Sequence, residues 1–166
     1  MINIKKDAAV YLDYLKNMID DFADIKQKED NNNIIIKKID NLYDNLEVRN
    51  IEWLNDEDIG VYIFLSSENV RYVGLAGIGQ NHTLKKRLNI QLSCYKSNGT
   101  VAKKLLRSLN IDIEMSGTQY RRKRIVENFS DLIVIKTGNI TDEIDKGKTL
   151  ILETLLIATL KPDLNF

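Results

Sequence analysis

The run Gly60-Val61-Tyr62-Ile63-Phe64-Leu65, followed shortly by Arg71-Tyr72-Val73-Gly74, constrains the fold of this chain more than any other stretch. β-Branched and aromatic residues in both runs favour a pleated, half-buried backbone, and Ser66, Ser67, Glu68 and Asn69 form a polar break between them. The pair predicts a β-hairpin. Side chains alternate faces along a strand, so a three-residue loop over Ser66 to Glu68 sets Tyr62 opposite Tyr72 on one face, whereas a two-residue loop separates them. Taken without context, two strand tyrosines are packing residues with wet hydroxyls.

A chain of 166 residues has room for one well-cored domain and a small helical appendage, not for a second full domain. The single cysteine, Cys94, excludes an internal disulfide framework, and the single histidine, His82, leaves no Cys/His set for structural zinc. No stretch approaches the roughly 20 apolar residues needed to cross a bilayer, and Met1 to Asp7 is too polar for a signal peptide. No membrane partner and a cytoplasmic location are therefore expected.

The formal net charge of zero conceals a split. Residues 1–58 carry 8 basic and 14 acidic side chains, and residues 59–166 carry 16 basic and 10 acidic. Between residues 70 and 126 there are 12 basic residues against only Asp112 and Glu114. A local excess of this size attracts a polyanion, although a solvated lysine surface on helices is the common alternative.

Leu12, Leu15, Ile19, Phe22 and Ile25 recur at three- and four-residue spacing and predict an amphipathic helix from Asp7 to about Lys28. Ile35, Ile39, Leu42 and Leu46 predict a second helix, so that residues 1–58 form an acidic helical hairpin outside a core of residues 59–166. Within that core, helices are expected from Asn81 or Thr83 to about Tyr95, from Val101 to Leu109, and over a short span between Tyr120 and Phe129. Ile111 to Met115 alternates as an extended segment does, and Asp131 to Thr137 reads as a third, central strand. The last helix begins at Asp145 or Thr149 and is closed by Lys161-Pro162. Lys85, Lys86, Lys103, Lys104 and Arg107 on two of these helices, with the run Arg121-Arg122-Lys123-Arg124, are the candidate nucleic-acid contacts. Glu153 is the only charged side chain between Thr149 and Leu160. A carboxylate among Leu150, Leu152, Leu156 and Ile157 is costly unless a cation meets it, either a structural salt bridge with Arg87 or a metal ion.

Gly60-Val61-Tyr62, Tyr72-Val73-Gly74, Arg87 on the following helix, Glu153 on a later helix and the closing Lys161-Pro162-Asp163-Leu164-Asn165 together resemble the GIY-YIG nuclease family over residues 59–166. No single piece is specific; the five in this order are. The resemblance implies an α+β fold, with a small three-stranded antiparallel sheet flanked by helices, and hydrolysis of DNA phosphodiesters with Mg²⁺ or Mn²⁺. It implies Glu153 as the metal ligand, Arg87 as the phosphate fork, Tyr62 as general base, Tyr72 as positioner of water or phosphate, and Asn165 as a brace. These roles suit the chemistry: a carboxylate is a hard ligand for Mg²⁺, and a guanidinium is permanently charged. A phenol with an ordinary pKa of about 10 needs a depressed value to act as base. Two positions depart from the family pattern. Gln91 stands one turn after Arg87, where many members carry a histidine or tyrosine, and the loop over Gly77 to Asn81 is longer than is common. His82 or Tyr95 are the possible substitutes for the missing acid or base.

A compact type II restriction-type endonuclease is the expectation, acting as a homodimer because one site per chain must cut two strands. A non-catalytic nucleic-acid-binding protein on the same scaffold and a homing or repair nuclease are the alternatives.

Overall fold

The computed structural model describes residues 17, 35–39, 51–66, 69–78, 82–93, 100–112, 115 and 117–165. Their elements run β1 (Ile35–Ile39), β2 (Asp58–Leu65), β3 (Val70–Ala76), α1 (Leu84–Ser93), α2 (Thr100–Ser108), α3 (Thr118–Asn128), β4 (Asp131–Asn139) and α4 (Glu143–Leu160). The four strands form one open sheet in the order β1-β4-β2-β3, antiparallel throughout, so the fold is α+β.

Helices cover both faces of this sheet. On one, Tyr62, Phe64, Tyr72, Leu132 and Val134 pack with Leu84, Leu88 and Leu92 of α1, Val101 and Leu105 of α2, and Ile125 of α3. On the other, Val61, Ile63, Val73, Ile133 and Ile135 pack with Leu152 and Leu156 of α4. Double coverage explains why Gly60 to Leu65 is apolar almost without interruption: every residue of β2 is buried, whereas a strand wetted on one face would alternate.

Two expectations about strands are corrected. Residues 35–39 are a fourth strand and not part of a helix, pairing with β4 from Ile35↔Lys136 to Ile39↔Leu132. A spacing of four, as between Ile35 and Ile39, suits both a helix face and a strand face, and β-branched side chains crowd a helix while packing well on a pleat. Ile39 accordingly joins the α1–α3 side of the core and Ile36 packs on the α4 side. Ile51 and Leu54 are core residues as well, and Lys37 lies over the Trp53 ring at 4.5 Å, so segments before residue 59 help to build the sheet and its packing. Of the predicted helix from Asp7 to Lys28 only Asn17, helical and exposed, is among the described residues, and Leu42 and Leu46 lie outside them.

The hairpin register also differs. Tyr62 pairs with Gly74 and Phe64 with Tyr72, with a bulge between Phe64 and Leu65 and a four-residue connection closed by Ser66 N–H donating to Asn69 O. The shift relative to the three-residue loop is two residues, which preserves faces. α4 starts earlier than Asp145 because Asp142 caps it, its carboxylate accepting from the Ile144 and Asp145 N–H groups. Ile111 and Asp112 form no strand.

Candidate active site

β3 is an edge strand, and what covers its outer edge defines the site. The backbone groups of Arg71, Val73 and Leu75 meet partners there in succession. Leu164 N–H donates to Arg71 O at 2.9 Å. The Asn165 amide then acts as a short stretch of strand: its Oδ1 accepts from Val73 N–H and its Nδ2 donates to Val73 O, each at 2.8 Å. The Glu153 carboxylate accepts from the backbone of Leu75. The closing segment docks along β3 because Lys161 takes a left-handed conformation (φ 47°) that ends α4 before Pro162. The Arg71–Asp163 ion pair at 3.0 Å ties it further. Asn165 therefore braces the strand and does not reach toward the tyrosines. Asn165→Asp should destabilise the protein by about 1–3 kcal/mol by setting an acceptor against Val73 O. A lower urea midpoint with an unchanged slope would register that loss; an unchanged midpoint would show that the edge holds without the amide.

Tyr62 and Tyr72 share the α1–α3 face as diagonal neighbours, ring centroids 6.2 Å apart. Gly74 makes their meeting possible. A Cβ there would lie 2.7 Å from the Tyr62 hydroxyl oxygen and 2.7 Å from the Tyr72 ring. Arg87, on the first turns of α1, favours the charged form of Tyr62 and donates to Thr100 Oγ1 at 3.5 Å. Lys104 of α2 holds its ammonium 5.5 Å from the Tyr72 ring centre. Tyr62, Tyr72 and Arg87 thus lie on one face of the sheet, and the charge of Glu153, from α4 on the other face, reaches both tyrosines past the β3 edge.

Burial dominates the electrostatics. It pushes the Tyr62 phenol up; Arg87 and Gln91 pull it back in part, and the charge of Glu153 raises it again. Tyr72 is likewise pushed far up by burial and by its neighbour Tyr62. The depressed tyrosine that a general base requires is therefore not found, and both are neutral phenols near pH 7. Tyr62 is fully buried and Tyr72 is 7% exposed, so solvent reaches the pair through Tyr72. Burial also raises Glu153, against the Leu75 hydrogen bond, and Arg87 is not among the groups acting on it. A half-buried carboxylate held by one backbone N–H fits a hard divalent cation, which takes one or two carboxylates and completes its shell with water and phosphate. Among the described residues no group of three or more His, Cys, Asp or Glu surrounds it.

The candidate nucleic-acid contacts divide. Lys86, Arg107, Arg122 and Lys123 are exposed, and Lys103 and Lys104 are half-buried on α2. Lys85 pairs with Asp56 at 3.4 Å, and Arg124 is held by Glu127 at 2.8 Å and lies over the Tyr120 ring. Arg121 is corrected: at 4% exposure, bonded to Thr118, it faces inward and offers no surface to a polyanion. The turn periodicity of α3 already carries this, because Arg121 and Ile125 are four apart on one face. Of the two stand-ins for an acid or base, His82 precedes α1 and Tyr95 lies outside the described residues.

Gln91 is the residue that sequence reasoning undervalued. It is fully buried, donates from Nε2 to the Tyr62 hydroxyl at 3.2 Å, and accepts at Oε1 from Val101 N–H at 3.0 Å. A polar residue on the buried stripe of Leu84, Leu88 and Leu92 was the available signal. Compared with protein-family models, curated proteins and solved structures, the chain shows no match. Among the described residues no helix is long and apolar enough to cross a membrane.

Proposed function

We propose that this chain is a divalent-metal-dependent DNA endonuclease of the GIY-YIG family, of compact type II restriction type. The action of Arg87 and Glu153 on Tyr62 and Tyr72 near the edge of β3 carries this reading. The two tyrosines belong to the packed core, but packing does not call for Arg87 and Glu153, up to 91 positions away, to bring opposite charges to bear on them.

In the proposed reaction a water oxygen forms the new bond to phosphorus and the ester P–O bond on the opposite side breaks. The water proton passes to solvent at the Tyr72 hydroxyl, the solvent-accessible member of the pair, and the departing oxygen takes a proton from solvent. Tyr72, the partner with solvent access, orients the attacking water; Tyr62 stands behind it and fixes its position. Arg87 takes up charge building on the phosphate oxygens. A Mg²⁺ or Mn²⁺ ion held by Glu153 would supply Lewis-acid polarisation of the phosphate. Lys86, Lys103, Lys104, Arg107, Arg122 and Lys123 hold the DNA backbone by charge, so affinity should fall with salt. Double-strand cleavage by one site per chain calls for a homodimer, and a cytoplasmic location accompanies this role.

The test is incubation of the purified protein with plasmid and mixed linear DNA in Mg²⁺ or Mn²⁺, with the ends read by sequencing. Discrete ends that vanish with EDTA are the expected result. One observation favours a second reading, a non-catalytic DNA-binding protein on this scaffold: Gln91 offers no titratable group and Tyr62 is sealed from solvent. Tight, salt-dependent binding without cleavage in either metal would select it.

A further inference from the structure

We infer that Gln91 is a positioning residue, which holds the Tyr62 oxygen as a hydrogen-bond acceptor and so keeps the Tyr62 O–H turned away from position 91; this rests on the nuclease reading above. The Gln91 amide has one possible orientation. Val101 N–H can only donate, so Oε1 must face it and Nε2 must face Tyr62. Arg87, also a pure donor, lies near enough to the same phenol to favour its charged form. With Gln91 donating to the phenol oxygen, the Tyr62 hydrogen turns away from position 91, on the face that Tyr62 shares with Tyr72. The charged and titratable groups facing this pair are Arg87 from α1, Lys104 from α2, Tyr72 from β3 and Glu153 from α4.

A histidine or tyrosine at position 91 could accept the Tyr62 proton. Glutamine reverses that polarity. The same amide ties the phenol to the first turn of α2, on which Thr100 meets Arg87 and Lys104 meets Tyr72, so one side chain sets the spacing of four site groups.

Gln91→Glu separates this from a purely structural role. A carboxylate still accepts from Val101 N–H, so the anchoring of α2 survives, but it presents an acceptor to Tyr62 and draws the phenol hydrogen toward position 91. The expected result is a kcat lower by about 10- to 100-fold with KM for DNA within about twofold. In a Tyr62→Phe background, Gln91→Glu should have little further effect, because Glu keeps an acceptor for Val101 N–H and what it changes is the group facing the phenol oxygen. Should Gln91→Glu not fold, Gln91→Met is compared in the same two backgrounds: its loss with Tyr62→Phe reads the missing acceptor for Val101 N–H, and the extra loss with Tyr62 present reads the bond to the phenol. Wild-type kcat in Gln91→Glu, or losses that multiply with Tyr62→Phe, would overturn the inference while leaving the nuclease intact. A wild-type protein that cleaves no DNA with Mg²⁺ or Mn²⁺ would overturn the nuclease reading and this inference with it.

Discussion

Glu153→Gln should lower Mg²⁺-dependent cleavage by about 10²–10³-fold or more, and Arg87→Ala should do the same, because each removes an interaction made with charge that develops at phosphorus. The two variants should differ elsewhere. Glu153→Gln raises the metal concentration needed for half-maximal rate, whereas Arg87→Ala leaves it near the wild-type value. Stability gives an independent check on Glu153. Burial raises its carboxyl in the folded state, so the folded protein binds this proton more readily than the unfolded chain does. Its contribution to stability is therefore greatest at low pH, declines as pH rises above the ordinary carboxylate range, and is unfavourable at neutral pH. Without metal, Glu153→Gln should leave Tm unchanged or raise it slightly, on the order of 1 °C. A clear fall in Tm at pH 7.5 would show that Glu153 is a structural ion-pair member and would remove the reason to assign it a cation.

Gly60→Ala should be the most damaging single-methyl substitution in the sheet. A Cβ on Gly60 would run into the Ile135 carbonyl oxygen, with the Ile135 carbonyl carbon and Lys136 Cα only 3.0 and 3.1 Å away. These are backbone atoms of the neighbouring central strand and cannot rotate aside as a side chain does. β2 shifts register against β4 between Ile59 and Gly60, and the two backbones approach closely at that point. The expected loss is about 3 kcal/mol, toward the upper end for overpacking, and a fall in Tm of about 10 °C. Gly74→Ala tests the other glycine of the motif in a different way. Its new methyl meets the Tyr62 and Tyr72 rings, so activity should fall more than stability. A Gly60→Ala protein that melts within about 2 °C of wild type would show that the strand pair relaxes freely.

Much of this arrangement is legible in the chain. The hairpin, the central strand from Asp131, the helices after Thr83, Thr100 and Gly117, and the isolated Glu153 all carry local signals: β-branched runs, polar breaks, capping residues and a charge within an apolar stripe. β1 was not, because Ile35 and Ile39 satisfy both the helical and the pleated repeat, and only pairing with β4 decides between them. Arg121 looked like part of a basic surface because charge is read along the sequence, whereas burial is decided by which side of α3 meets the core.

Tyr62 shows where the division lies. Its place on a strand, two residues after Gly60 and on the same face as Tyr72, follows from alternation and would survive any even change of register. Its chemistry does not follow from those rules. Whether the phenol is raised or lowered depends on the balance between burial, which favours the neutral form, and donors from Arg87 and Gln91, which favour the charged one. Sequence by itself determined which residues could be brought to one edge of one sheet, because periodicity and turns are local properties. Only the tertiary structure decided that Gln91 donates to Tyr62, that Asn165 completes the edge of β3 and that burial outweighs Arg87 at the tyrosines, because hydrogen-bond polarity and desolvation are set by atoms far apart in the chain.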